Sequence, residues 1–400
     1  MSSIVSEPST SSSSRPPIRF TRQEWSGAFG DLGTDLPLLV GMVLASGLQP
    51  ASVLTVFGLM QIATALFYRM PMPVQPLKAM AAIVIAQKLP ASILFGGGLA
   101  IGISMLLLSV TGLLGAIHRV IPKPVIRGIQ LGLGLQLAGI ALKDYVPSDG
   151  VPGFALAAVA FFVGLLLLSR KHIPAAVVLV AMGGVYAFVF RLSPSALTSA
   201  VGLQAPSWHI PAIADVWTGF LLLALPQIPL SIANSVLATR QLVDDLFPKR
   251  RVSIRQIGLT YSLMNLLSPF LAGIPVCHGS GGMMGHFTFG GRTGGSVVIY
   301  GGLFVVLGLL FSQGFQTVIQ VFPLPLMGVL LLFEAMALVA LARDLAPQPA
   351  HFLLAVLVGL IASSLPYGYL AGLLVGLIAY HLMQRRWSRL GLPLEHDDQV

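Results

Sequence analysis

Apolar runs follow one another along nearly the whole chain, each ended by proline, glycine or charge. Most are close to the roughly 20 residues that cross a bilayer as a helix. In order they predict seven segments in the first half, near residues 25–46, 51–68, 77–86, 95–117, 125–142, 152–168 and 173–190. Seven more follow near 214–238, 254–271, 273–295, 296–311, 326–341, 351–363 and 370–383. Two of these fourteen break the pattern. The third is short and follows Arg69-Met-Pro-Met-Pro-Val-Gln-Pro76, so Pro73 and Pro76 hold its entry extended. The tenth, from Gly273 to Gly295, contains nine glycines, opens with Pro275, and carries His278, His286 and Arg292. Backbone this irregular survives at membrane depth only when packed in protein or lining a watery cavity. Residues 281–289 can start a short helix whose N–H groups and positive dipole end point into that cavity, as a site for an anion.

The halves repeat each other. Pro73-Val-Gln-Pro returns as Pro275-Val-Cys-His after 202 residues, Pro122-Lys-Pro as Pro323-Leu-Pro after 201, and Trp25-Ser-Gly as Trp217-Thr-Gly after 192. A repeat with an odd number of crossings re-enters the membrane upside down, and broken segments at matching positions mark the binding site of such a fold. The predicted class is therefore an all-α integral membrane protein of fourteen transmembrane segments, built as two seven-span inverted repeats with segments 3 and 10 broken. The expected domains are a disordered tail (1–23), a first repeat (24–191), a linker (192–213), a second repeat (214–384) and a closing tail (385–400).

Composition agrees. The chain is 55% hydrophobic and 9% charged, against about 25% charged in soluble proteins, and its mean hydropathy is +0.86. A pI near 10.0 would fit a nucleic-acid binder. Here the basic residues sit instead in alternate breaks, among them Arg69, Arg119, Lys123, Arg170, Lys171, Arg240, Lys249, Arg250, Arg251, Arg255 and Arg343. The other breaks hold Lys88, Lys143 and Arg191. That is positive-inside topology with both termini cytoplasmic, and no nucleic acid is expected as a partner. The short tails suggest a bacterial inner (plasma) membrane. Residues 1–23 have no apolar core of a signal peptide, and no soluble regulatory domain is expected after Gln384. Cys277 is the single cysteine, so neither a disulfide framework nor a thiolate metal cluster is expected, and no cofactor. An oligomer is compatible with the sequence.

Ionisable residues inside spans are candidate function. Asp31 and Asp35 lie four apart beside Gly30, Gly33, Thr34 and Pro37, on one face of a helix that can unwind. Two carboxylates so close make one of them a proton carrier, or else Asp31 caps or pairs with the broken third segment. Lys78 begins the third half-helix, as an anion contact or as partner of a carboxylate such as Asp31. Gln75 offers an amide to an oxyanion or satisfies backbone. In the second half His278 precedes Gly279-Ser280-Gly281, where successive N–H groups can form an anion nest. Glu334, alone in segment 12, is a second proton carrier or a neutral acid bonded to a carbonyl. Pro226-Gln-Ile-Pro with Ser231 and Asn234 interrupts segment 8, so Gln227 is expected to face the same cavity. His286 and Arg292 anchor the far end of segment 10.

Taken in order, Glu24-x-x-Gly-x-x-Gly-Asp31-Leu-Gly-Thr34, Met72-Pro-Val-Gln-Pro-x-Lys78, Cys277-His-Gly-x-Gly-Gly and Phe289-Gly-x-Arg292-x-Gly resemble the molybdate transporters related to sulfate permeases. The resemblance covers about residues 22–384 and includes Arg343-Asp344. It implies uptake of molybdate, a tetrahedral dianion, by a fold with core and gate subdomains. In that reading Thr34, Gln75, Lys78, Gln227, Cys277, His278, Gly279, Ser280 and Gly281 hold the anion. Asp31, Asp35 and Glu334 couple protons, and Glu24, Pro73, Pro76, Pro275 and Arg292 shape or gate the site. One departure is that the family's glutamate in segment 12 falls a turn later, where this chain has Ala337. A dianion entering a negative interior needs a cation with it, and no nucleotide-binding G-x-x-x-x-G-K-[ST] loop is present to drive it otherwise. Sulfate is the nearest alternative substrate. A nucleobase permease would place an acid at Gln227, a channel would not need two broken segments, and a hydrolase using Ser280 with His278 lacks a third orienting group.

Overall fold

The computed structural model describes residues 17–114, 116, 121–168, 175–191, 201–365 and 367–389. Most of the first tail, the end of the last, the linker stretch 192–200, and Arg119, Arg170 and Lys171 lie outside the described residues. Segment 1 forms two helices, α1 (Arg22–Ala28) and α2 (Leu32–Ser46), bent by 41° at the break that holds Gly30 and Asp31. The rest of the first half comprises α3 (Pro50–Tyr68), strand β1 (Val74–Pro76), α4 (Lys78–Gln87), α5 (Ala91–Thr111), α6 (Lys123–Ile140), α7 (Gly150–Leu168) and α8 (Ala175–Phe190). The second half comprises α9 (Ile213–Leu246), α10 (Ile254–Leu267), strand β2 (Val276–His278), α11 (Ser280–Thr288), α12 (Gly295–Leu310), α13 (Ser312–Val321), α14 (Leu324–Ala340), α15 (Pro349–Ser364) and α16 (Gly368–Arg389). Among the described residues five helices are long and apolar enough to cross a membrane unaided, or six with the bent pair.

Two details differ from the sequence reading. Segment 8 is not interrupted at Pro226 and Pro229: α9 continues through them because residues Phe220–Ala224 and Ser231–Ala238 are wound as π-helix. The wider turn reroutes the hydrogen bonds that a proline cannot donate. And α13, with Gln313, Gln316 and Gln320 among apolar residues, is a helix in what read as a connection.

Two packed bodies result. In one, α3 lies against α12, α5 against α10 and the start of α9, and α1 against α12. In the other, α6 packs on α14 and α15, α7 on α14, and α15 on α16. The repeat operation carries α3 to α10, α5 to α12, α6 to α14 and α7 to α15, so each contact has its counterpart. Small residues allow the closest crossing. A Cβ added at Gly58 of α3 would strike the Gly301 carbonyl of α12, and one at Gly301 would strike the Gly58 carbonyl.

β1 and β2 pair antiparallel in the centre, with Val74 opposite His278, Gln75 opposite Cys277 and Pro76 opposite Val276. Shifting every number by 202 maps this register onto itself, so the pseudo-twofold axis passes through the Gln75–Cys277 pair. A two-stranded ladder leaves both outer edges unpaired, which is untenable in a bilayer. Two amides seal them. Gln61 accepts from the Val74 N–H at 2.8 Å and donates to its carbonyl at 2.6 Å. Asn265 accepts from the Val276 N–H at 2.9 Å and donates to its carbonyl at 2.6 Å.

Candidate functional site

Past the strands, the tips of α4 and α11 open on a cavity of about 240 Å³, walled by α6, α9 and α14. Side chains alternate along a strand, and directly paired residues face the same side. Gln75 and Cys277 therefore both reach the cavity, while the neighbours of Cys277 point away. His278 is the residue this removes from the site. Its Nε2 lies 2.7 Å from the Thr260 hydroxyl, and its ring meets Tyr68 edge-on at 5.4 Å. Thr34 does not line the cavity either; its N–H donates to the Asp31 carbonyl at 3.1 Å.

The cavity brings together Gln75, Lys78, Gln227, Cys277, Gly279, Ser280, Gly281 and Glu334. Asn234 joins them, whereas Ser231 bonds Gln227 at 3.1 Å and Tyr261 at 2.7 Å. The two helix tips are not equivalent. Gln227 accepts from the N–H groups of Ala79 at 2.9 Å and Met80 at 3.4 Å, occupying most of the first turn of α4. At α11 the first-turn N–H groups of Ser280, Gly281 and Gly282 have no acceptor one turn earlier within the helix. A Cβ at Gly281 would meet nothing within 4 Å, so that turn faces open space.

Charge is concentrated on one ammonium. Lys78 Nζ lies 2.6 Å from Glu334 Oε1, pairing the start of α4 with the middle of α14. Asp31 sits behind Gln75 and accepts from its amide at 2.5 Å; its second oxygen has no partner among the described residues and lies against Gly282. Asp35 is deeper, accepting from the Tyr300 hydroxyl at 3.0 Å, its other oxygen also unpartnered among the described residues. Lys78 thus faces three carboxylates, of which only Glu334 lines the cavity.

The remaining predicted residues shape the frame. Glu24 accepts from the N–H groups of Arg292 at 3.0 Å, Thr293 at 2.9 Å and Ser296 at 2.9 Å, capping the start of α12. Arg292 donates to the carbonyls of Phe287 and Gly291 and lies over the Phe287 ring at 3.7 Å. Pro275 accepts from the Leu77 N–H at 3.1 Å, and Pro73 and Pro76 bound and close β1. His286 is buried edge-on to Tyr300 at 5.7 Å. Sequence reasoning missed Gln61 and Asn265, and Gln130, which lines the cavity and accepts from Arg127 at 2.9 Å. It also missed the cluster of Lys123 and Arg127 around Asp344 at 3.3 and 2.6 Å. Lone amides at matching places in two apolar segments were the available signal.

A profile of the family described as "Molybdate transporter of MFS superfamily" matches residues 23–137 and 219–338. The chain is 34% identical to "Molybdate transporter 2" of Arabidopsis thaliana, over 89% of its own length and 86% of that protein. It is 30% identical to "Molybdate transporter 1" of the same plant, over 92% and 91%. Among solved structures it is similar to the transmembrane domain of a cyanobacterium bicarbonate transporter, BicA, with TM-score 0.62 and 17% identity over 91% of this chain and 98% of that one. It is also similar to the murine anion transporter Slc26a9 in the inward-facing state, with TM-score 0.67 and 13% identity over 93% and 69%. These fix the fold as that of inverted-repeat membrane transporters. Halves of major facilitator proteins are related by an axis along the membrane normal. The antiparallel, self-mapping register of β1 and β2 is a different symmetry, so the superfamily word in the profile's description does not describe this architecture.

Proposed function

We propose, for a chain that belongs to the molybdate transporter family, that it imports molybdate together with protons by alternating access. As a member of that family it is a multi-pass membrane transporter and not an enzyme. The observation that carries the finer reading is the cavity itself. An uncovered helix start at Ser280 and Gly281 and the ammonium of Lys78 converge on it, with the polar side chains of Gln75 and Gln227 beside them. Such donors suit a tetrahedral oxyanion without burying several cations.

Coupling follows from charge. Two negative charges moved against a membrane potential cost about 4.6 kcal/mol per 100 mV, which a cation must offset. Asp31, Asp35 and Glu334, if all ionised, would outweigh Lys78 and repel a dianion, so the carboxylates must take up protons for the anion to bind. The cavity runs toward Gln130 and Leu341, near the ends of α6 and α14 that carry Lys123, Arg127 and Arg343. With positive charge inside, this is the cytoplasm-facing state of a plasma-membrane carrier whose termini are cytoplasmic.

Purified protein in liposomes should accumulate labelled molybdate when the outside is made acidic, with sulfate as competitor. Accumulation unaffected by collapsing the pH gradient would remove the proton from the scheme. Saturable uptake of sulfate with none of molybdate would replace the substrate.

A further inference from the structure

The closest charged contact in the cavity joins the two packed bodies. Lys78 starts α4, which is tied through β1 and Gln61 to α3 of the first body and capped by Gln227 of α9, and Glu334 lies on α14 of the second. Arg127–Asp344, Arg191–Asp149 and Arg240–Asp244 each stay within one body. Glu334 is 7% exposed, while Lys78 keeps 32% of its side chain open to the cavity. A carboxylate oxygen at 2.6 Å from an ammonium makes the same charge-assisted bond as an oxygen of a tetrahedral oxyanion.

We propose that Glu334 is a resident competitor for the substrate, its carboxylate holding on Lys78 the place that an oxyanion oxygen takes when the cavity fills. This rests on the oxyanion reading of the site given above. Two anions cannot share one ammonium at that range without strong repulsion, so the bound dianion and the ionised Glu334–Lys78 pair exclude each other. Because the pair bridges the two bodies, filling the cavity also removes that bridge.

Among the described residues Glu334 has no other cation at this distance. Across the cavity stand Lys78 and the Cys277 thiol, with Asp31 behind Gln75 and Asp35 behind Asp31. From α9 come the neutral Gln227 and Asn234, and from α6 the neutral Gln130, whose oxygen is held by Arg127. Arg127 itself is engaged with Asp344 at 2.6 Å.

The repeat symmetry sharpens the inference. Adding 202 carries Lys78 to Ser280, and subtracting 201 carries Glu334 to Leu133. Both counterparts line the cavity, and they form no ion pair. Inverted repeats exchange conformations when access alternates. The competitor therefore acts in the conformation seen here and has no charged equivalent in the opposite one.

The test is molybdate binding to the full chain in detergent or nanodiscs, by calorimetry at neutral pH, for the wild type, Glu334→Gln and Glu334→Asp. Glu334→Gln should bind at least about tenfold more tightly than the wild type. Glu334→Asp, one methylene shorter and a looser partner for Lys78, should tighten binding a few-fold, and it carries the test if the glutamine variant does not fold. Wild-type protein that binds neither molybdate nor sulfate sinks the proposed function and this inference together. Wild-type protein that binds, with both variants matching its affinity, sinks this inference alone.

Discussion

Replacing Asn265 by leucine takes away both partners of Val276, the acceptor at 2.9 Å from its N–H and the donor at 2.6 Å to its carbonyl. Each buried backbone group left without a partner costs about 1–3 kcal/mol, so the pair costs about 2–6 kcal/mol. Leucine returns about 1–2 kcal/mol through its apolar surface, leaving a net loss of about 1–4 kcal/mol. Gln61→Leu does the same to Val74, and the symmetry of the two clamps requires a similar cost. Spread over a chain of 400 residues, each kcal/mol lowers the unfolding temperature by about 1–2 °C, so each variant should melt several degrees early. Thermal unfolding in detergent, followed by intrinsic fluorescence, reads this directly. The reasoning is refuted if either variant melts with the wild type, or if one clamp proves costly and the other free.

Gln227→Glu keeps an acceptor for the N–H groups of Ala79 and Met80, so its melting temperature should hold. A charge about 8 Å from a dianion at an effective dielectric of about 20 repels it by about 4 kcal/mol, roughly a thousandfold in affinity, which calorimetry at neutral pH would show. Glu24→Ala strands the N–H groups of Arg292, Thr293 and Ser296 and should cost about 3–5 kcal/mol of stability, with the KM of the surviving folded carrier unchanged in liposome uptake. His286→Phe keeps the ring contact with Tyr300 and removes two buried nitrogens that have no partner among the described residues. It should melt at or above the wild-type temperature, and a clear fall would mean that those nitrogens hold water or an ion.

The pattern of apolar runs was enough to find the long helices α3, α5, α6, α9 and α14, because an apolar helix announces itself over its whole length. The breaks at Pro73–Pro76 and Pro275 were legible for the same reason, since proline and glycine punctuate locally. The 202-residue offset between them even contained the strand register, as the self-mapping of Val74–His278 onto Val276–Pro76 shows. What stayed hidden was pairing across distance. Nothing near Glu334 in the chain points to Lys78, 256 residues earlier. His278 looked like a site residue because it stands at the break; the alternation of a strand too short to show in sequence turned it toward Tyr68 instead. Pro226 and Pro229 read as a gap because proline usually is one, and the π-helical turns that absorb them leave no mark in the apolar pattern.

A ladder sealed along both margins is hard to unzip where water is scarce. The two re-entrant tips are laced by β1 and β2, locked by Gln61 and Asn265, and hooked at α4 by Gln227. Pulling them apart would expose naked peptide groups at several points at once. In the alternating-access scheme proposed above, whatever swings the opening from one face of the bilayer to the other must therefore leave this cradle whole. In that scheme the slip falls along the seam where α4 meets α6 and α2 meets α14, and the Lys78–Glu334 pair is the bond it has to release. The passenger, in that scheme, crosses in its seat.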